Sequence, residues 1–324
     1  MLLSVIWFAV GLVLLIKGGD WFVDGATGIA KRFHLPDIVV GATVVSIGTT
    51  LPEVMVSTTG ALQGSGAMAY GNAIGSIICN TALIAAISIT CNPGPVNVKS
   101  MKTPAIFFFL AAGIYCVAAY GLGTFPRWLG IIMLSVFVVY MVMTVRNGMR
   151  NPDAASEEEE EGGKEKALWQ ELLLLVIGAG VIAVGADLLV DHGQVIALGL
   201  GVPETVVALL FVALGTSLPE LVTTITSLRK GRASLGVGNV IGANVFNLVL
   251  VSGVAVSLAP FDVPCENLLL DTDLNLSLVF DIPVMLGVMS LMIFPAMIGK
   301  KLSRWQGIAL LCIYAAFCVC QFML

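Results

Sequence analysis

Charge is scarce in this 324-residue sequence: only 11% of it is Asp, Glu, Lys or Arg. A soluble domain carries about twice that share on its surface, so a water-exposed globule is excluded. Histidine is nearly absent, with two residues, His34 and His192, at loop ends and without a partner at metal-ligand spacing. An imidazole-based metal centre is therefore not read here. The seven cysteines are odd in number and lie mostly within apolar runs, and Cys318 and Cys320 are too close in sequence for a structural bridge. They read as small hydrophobes rather than a disulfide framework. The net charge of −5 comes mostly from one acidic tract, and no nucleic-acid or protein partner is read from it. What fills the space is hydrocarbon: 58% hydrophobic residues and a mean hydropathy of +0.98.

A bilayer crossing needs roughly 20 apolar residues. About ten such runs are present, near 2–29, 38–62, 70–90, 103–121, 126–146, 169–198, 204–228, 235–259, 275–298 and 304–322. The first has no early Lys or Arg and no small-residue cleavage site, and reads as a retained span rather than a signal peptide. The expected fold class is an all-α polytopic membrane protein with the lipid bilayer as its surroundings.

One long polar segment, SEEEEEGGKEK at 156–166, divides the runs five and five. Blocks of like charge repel, so it reads as a solvated linker. The expected organisation is a first five-helix repeat over 1–150, an acidic linker over 151–168 and a second repeat over 169–324. If the linker is cytoplasmic and the spans alternate, all but two of the 16 Lys and Arg residues fall on the cytoplasmic side. The exceptions are Arg127, outside, and Lys17, within the first span. That is a strong positive-inside bias, and it places both termini outside. The short central loop points to a prokaryotic plasma membrane.

The halves are copies. GTTLPE at 48–53 recurs as GTSLPE at 215–220, and GNAIGSIICN at 71–80 recurs as GNVIGANVFN at 238–247. The same offset of 167 carries Asp20 to Asp187, Asp24 to Asp191 and Pro36 to Pro203. Five spans are an odd number, so the second copy enters from the opposite side, and the fold is expected to be two inverted-topology five-helix repeats. The loops agree: Lys31 and Arg32 correspond to Leu198 and Gly199, whereas Gln63 and Ser65 correspond to Lys230 and Arg232. Loop charge that reverses between copies is what inversion requires.

The repeated motif puts a helix-breaking proline beside a glutamate at membrane depth. Proline lacks an N–H, so Pro52 and Pro219 cannot bond the carbonyls of Gly48 and Gly215. Loosened carbonyls in a bilayer are tolerated where they line a polar cavity. Thr and Ser add hydroxyls, and Glu53 and Glu220 add negative charge. Carboxylate, hydroxyl and carbonyl oxygens form a hard donor set suited to Ca²⁺, Na⁺ or Mg²⁺. One copy could be a kinked packing helix; two symmetry-related copies point to function. Asn80 and Asn247 close the second motif with amide oxygens, against an alternative as interhelical glue. The G-x-x-x-G steps at Gly71, Gly75, Gly238 and Gly242 read as packing surfaces.

These paired segments resemble the two alpha-repeats of the sodium/calcium exchangers, in the calcium/cation antiporter superfamily, and the resemblance covers essentially the whole chain. It implies ten helices, a midplane cation site and exchange of extracellular Na⁺ for cytoplasmic Ca²⁺, with no enzymatic activity and no cofactor. The implied ligands are Glu53, Glu220, Thr49, Thr50, Thr216 and Ser217, the carbonyls of Ser46 and Ala213, and the amides of Asn80 and Asn247. Ser76 supplies a hydroxyl that many relatives use, but it maps onto Ala243. Asn247 stands where the potassium-dependent branch has Asp, which implies no potassium requirement.

Spans 1 and 6 are the expected moving pair, with Gly18, Gly19, Gly25, Gly185 and Gly193 as hinges, and Lys17, Asp20 and Asp24 as an ion-paired face near the interface. Proton-coupled exchange in the same superfamily is the alternative, disfavoured because that branch carries GNATE in place of GTSLPE. An intramembrane aspartyl protease would want a GxGD segment, whereas the chain has KGGD and VGAD. A passive cation channel would use the same oxygens, but seldom from inverted broken helices.

Overall fold

The computed structural model describes residues 2–150, 167–200, 215–264, 275 and 277–323. Among these, nine helices are long and apolar enough to cross a membrane. They are α1 (Leu2–Arg32), α2 (Asp37–Leu62), α3 (Gly66–Cys91), α4 (Val98–Leu122), α5 (Arg127–Met149), α6 (Leu168–Gly199), α8 (Ala233–Leu258), α9 (Ser277–Gly299) and α10 (Arg304–Met323). The tenth, α7 (Leu218–Arg229), is the described part of the seventh apolar run. Of the sequence expectations, most of the acidic linker and Ala213 lie outside the described residues.

The chain is an all-helical, multi-pass membrane protein built on an internal two-fold, visible in its smallest elements. Two-residue strands β1 (Gly94–Pro95), β2 (Thr124–Phe125), β3 (Phe261–Asp262) and β4 (Lys301–Leu302) pair crosswise, β1 with β4 and β2 with β3, both antiparallel. Gly94 maps onto Phe261 at the 167-residue offset, and Thr124 onto Lys301 at 177. Under that mapping each clip converts into the other, register included. The ten extra residues enter between β3 and α9. Gly123 and Lys300, which end α4 and α9, share the larger offset and both adopt left-handed backbone, with φ +68° and +52°.

Packing follows the same symmetry. In a bilayer helices gain little from hydrophobic burial against one another, so close approach through small residues carries the association. A Cβ on Gly11 of α1 would lie 2.9 Å from the Gly185 carbonyl oxygen of α6, and one on Gly178 would lie 2.9 Å from the Gly18 carbonyl oxygen. Gly130 of α5 abuts Gly253 and Ser257 of α8, as Gly307 of α10 abuts Ala86 and Thr90 of α3. Four of the five glycines expected as hinges are close packing contacts. Gly18, Gly25 and Gly185 press against neighbouring backbone, and Gly19 against Val222 and Thr226 of α7.

The ion pairs also differ from expectation. Asp20 and Asp24 do not pair with Lys17: Lys230, at the end of α7, lies 2.6 Å from Asp24 Oδ1 and 3.7 Å from Asp20 Oδ1. Arg32 meets Glu171 of α6 at 3.1 Å, and Arg232 meets Asp37 of α2 at 3.2 Å. All these cations sit at the end of the bundle where the basic residues gather.

Candidate functional site

Four helices bring the repeated motifs together. The GTTLPE copy lies on α2 and the GTSLPE copy runs into α7, while the two GN-x-IG copies lie on α3 and α8. Close approach makes this possible. A side chain on Gly238 of α8 would collide with the Ile38 carbonyl of α2, and one on Gly242 would meet the backbone of Ala42. The packing reading holds for these two glycines but not for Gly71 and Gly75 of α3, where a Cβ would meet nothing within 4 Å.

The two proline motifs are not shaped alike. In the second, the chain turns at Thr216 and Ser217, and a helix restarts with Pro219 in its first turn, where the missing N–H is harmless. In the first, the helix over Ser46–Leu62 runs on through Pro52, so no break occurs at that proline. The irregularity lies upstream, in a π-helical turn over Gly41–Val45. Two more π-helical turns begin at Asn80 and at Asn247, the equivalent residues of α3 and α8. Such turns are rare and concentrate at functional sites, because they re-aim the side chains beside them. Serine hydroxyls brace two of them from five residues on: Ser46 donates to the Gly41 carbonyl at 2.8 Å, and Ser252 to that of Asn247 at 2.9 Å.

Most of the expected ligands that are described are buried. Glu53, Glu220, Asn80 and Asn247 are each 0% exposed, and Thr49, Thr50, Ser46, Ser76 and Ser217 are also buried. Thr50 Oγ1 of α2 lies 3.5 Å from Glu220 Oε1 of α7, which brings the two motifs side by side. Both carboxylate oxygens of Glu53, Oε2 of Glu220, Oγ of Ser217 and the amide atoms of Asn80 and Asn247 have no hydrogen-bond partner among the described residues. No lysine or arginine among the described residues pairs with either glutamate. Buried polar atoms are ordinarily bonded, and buried carboxylates ordinarily paired. A cluster that violates both rules, with oxygen as its chief donor, is suited to a hard cation.

Ala243 is buried on α8 where α3 carries Ser76, so the two halves differ there by one hydroxyl. Two residues of the cluster escaped the sequence reading. Asn72 and Asn239, the asparagines of the two GN pairs, reach across to the opposite repeat: Thr216 Oγ1 donates to Asn72 Oδ1 at 3.3 Å, and Thr49 Oγ1 to Asn239 Oδ1 at 3.1 Å. The signal was present, because each stands beside its glycine at the common 167-residue offset.

Comparison with known proteins gives a consistent picture. The profile of the family described as sodium/calcium exchanger protein matches residues 3–146 and 171–323. The chain is 31% identical to sodium/calcium exchanger MaX1 of Methanosarcina acetivorans, over 96% of each chain. It is 32% identical to inner membrane protein YrbG of Escherichia coli, over 81% of this chain and 82% of that one. A solved structure of the sodium-calcium exchanger NCX_Mj, soaked with Na⁺ and Sr²⁺, superposes with a TM-score of 0.78 at 32% identity, covering 97% of both chains.

Proposed function

Because the chain belongs to the sodium/calcium exchanger protein family, we propose that it exchanges Na⁺ for Ca²⁺ across the plasma membrane by alternating access. It is a transporter of that kind and not an enzyme. The proposed site lies at the middle of the bilayer, with Glu53 and Glu220 as its charged ligands. Thr49, Thr50, Thr216, Ser217 and Ser76 contribute hydroxyls, Asn80 and Asn247 amide oxygens, and Ser46 and Ala213 carbonyls. The observation that carries the reading is the pair of fully buried glutamates, one from each repeat, with no basic partner among the described residues.

The chemistry follows from charge. Two carboxylates neutralise one Ca²⁺, and several Na⁺ can divide the same oxygens among them. Ions that compete for one oxygen set cannot bind together, and that exclusion couples the fluxes. In the proposed topology both termini face outward, the acidic linker is cytoplasmic, and residues 1–150 and 169–324 form the opposed repeats. Helices α1 and α6 move together in this proposal, which is supported by the backbone contacts at Gly11, Gly18, Gly178 and Gly185 that lock the two to each other.

The test is transport in proteoliposomes. A Na⁺ gradient directed outward should drive Ca²⁺ uptake, and collapsing it should stop uptake. Uptake driven equally by a pH gradient without Na⁺ would replace this reading with proton coupling, and uptake indifferent to either gradient would indicate a channel.

A further inference from the structure

The Asn72 amide joins the two repeats at the cluster. Its Nδ2 lies 3.2 Å from the Glu53 carbonyl and 2.8 Å from Ser57 Oγ, and its Oδ1 lies 3.3 Å from Thr216 Oγ1. A backbone carbonyl only accepts, so the nitrogen must face Glu53 and the amide oxygen must face Thr216. An amide oxygen also only accepts, so Thr216 must give it the one proton it has. Both lone pairs of that hydroxyl are then free for another partner. A hydroxyl otherwise rotates, and one that turned its proton toward a cation would repel it.

We propose that Asn72 is a positioning residue for cation binding: it takes up the Thr216 proton, so that the hydroxyl presents its lone pairs to the ion. The contact of its nitrogen with the Glu53 carbonyl fixes which way the amide faces, so its oxygen is held toward the opposite repeat. Asn239 Oδ1 accepts from Thr49 in the same way at 3.1 Å, and lies 3.3 Å from Ser46 Oγ, while its nitrogen has no partner among the described residues. The inference rests on the reading of Thr216 and Glu53 as parts of the cation site. It differs from interhelical glue, which would hold the helices together without acting on the ion.

The experiment is a double-mutant cycle on the purified full chain, with equilibrium binding of radioactive Ca²⁺ and the ion-free melting temperature as readouts. Asn72→Ala and Thr216→Val should each weaken Ca²⁺ binding about tenfold, the scale of one hydrogen bond to a charged centre. The double variant should bind Ca²⁺ no more weakly than Thr216→Val alone, because Asn72 acts on the ion through that hydroxyl, while loss of the amide's other hydrogen bonds lowers the ion-free melting temperature of both Asn72 variants alike. Losses that multiply, or a lower melting temperature with wild-type affinity, would overturn the proposal in favour of glue. Should Asn72→Ala fail to fold, the cycle of Asn239→Ala with Thr49→Val carries the same expectation and the same refutation. If the wild type binds no Ca²⁺, the exchange reading falls and this one with it. If the wild type exchanges Na⁺ for Ca²⁺ and Asn72→Ala binds as the wild type does, only this inference falls.

Discussion

Thr50 and Glu220 stand 3.5 Å apart at the centre of the bundle, one from each copy of the same hexapeptide. The contact brings a hydroxyl of the first repeat onto a carboxylate of the second. An ion held by Glu220, as proposed, would therefore be within reach of oxygens from both halves.

The charge of the pair is the first thing to test. Glu53→Gln or Glu220→Gln keeps the shape and one oxygen but removes a unit of charge facing a divalent ion. Leaving a buried charge without its partner typically costs about 3–5 kcal/mol, more than a hundredfold in affinity. Each variant should abolish Na⁺-driven Ca²⁺ uptake while inserting and folding, and the two losses should be similar in size. Near-normal uptake by either folded variant would remove that glutamate from the site.

The helix seam predicts a stability effect away from the ions. A Cβ on Gly178 would lie 2.6 Å from the Phe22 nitrogen and 2.9 Å from the Gly18 carbonyl oxygen. Gly178→Val should force α1 and α6 apart, at a cost of about 1–3 kcal/mol as for other overpacked interiors. Gly180→Val, on the exposed face two residues on, is the control. Thermal unfolding in detergent should separate them, and equal melting temperatures would refute backbone contact as the basis of the seam.

Lys230 holds α1 from outside that seam. It meets Asp24 Oδ1 at 2.6 Å and the Asp20 carbonyl at 2.9 Å, yet its side chain and both carboxylates are partly exposed. Exposed pairs contribute less than about 1 kcal/mol, so Lys230→Gln should hardly change the melting temperature. If α1 moves relative to α7 during exchange, the tie breaks in every cycle, and its loss should raise the maximal rate of Ca²⁺ uptake. A slower maximal rate in folded protein would show that the tie serves the moving state instead.

Potassium should be irrelevant. Asn247 is an amide where the potassium-dependent branch has a carboxylate, so this cluster carries one negative charge fewer. Ca²⁺ uptake at a fixed Na⁺ gradient should be the same with and without K⁺, and stimulation by K⁺ would refute the assignment of Asn247.

The spans and the duplication were legible because each rests on a long signal: apolar runs of helix length, and an offset kept over some 70 residues. The two glutamates were legible because a membrane segment tolerates neither proline nor charge without cause. The π-helical turns at Gly41, Asn80 and Asn247 were not, since no residue type specifies them and they arise from packing between α2, α3 and α8. Asp20 and Asp24 were matched to Lys17 because it shares their helix, whereas their partner, Lys230, is some two hundred residues away. The later symmetry, including Gly130 with Gly307 and Gly123 with Lys300, was hidden by ten extra residues that break the offset before α9. Asn72 and Asn239 were quoted within the repeated motif but not singled out, because their partners, Thr216 and Thr49, lie in the other half of the sequence.

The crossed clips carry a consequence for biogenesis. Gly94–Pro95 pairs with Lys301–Leu302, and Thr124–Phe125 with Phe261–Asp262, so among the described residues each strand of one half is completed by the other. During synthesis β1 leaves the ribosome more than two hundred residues before β4 exists to meet it. The first five helices thus stay unlatched until α8 and β3 have been made, and their second clip closes only when β4 follows α9. Because each clip maps onto the other, two copies of a single half, inserted in opposite orientations, could latch in the same manner. A gene for five helices would then have produced this architecture as an antiparallel dimer before the halves were joined.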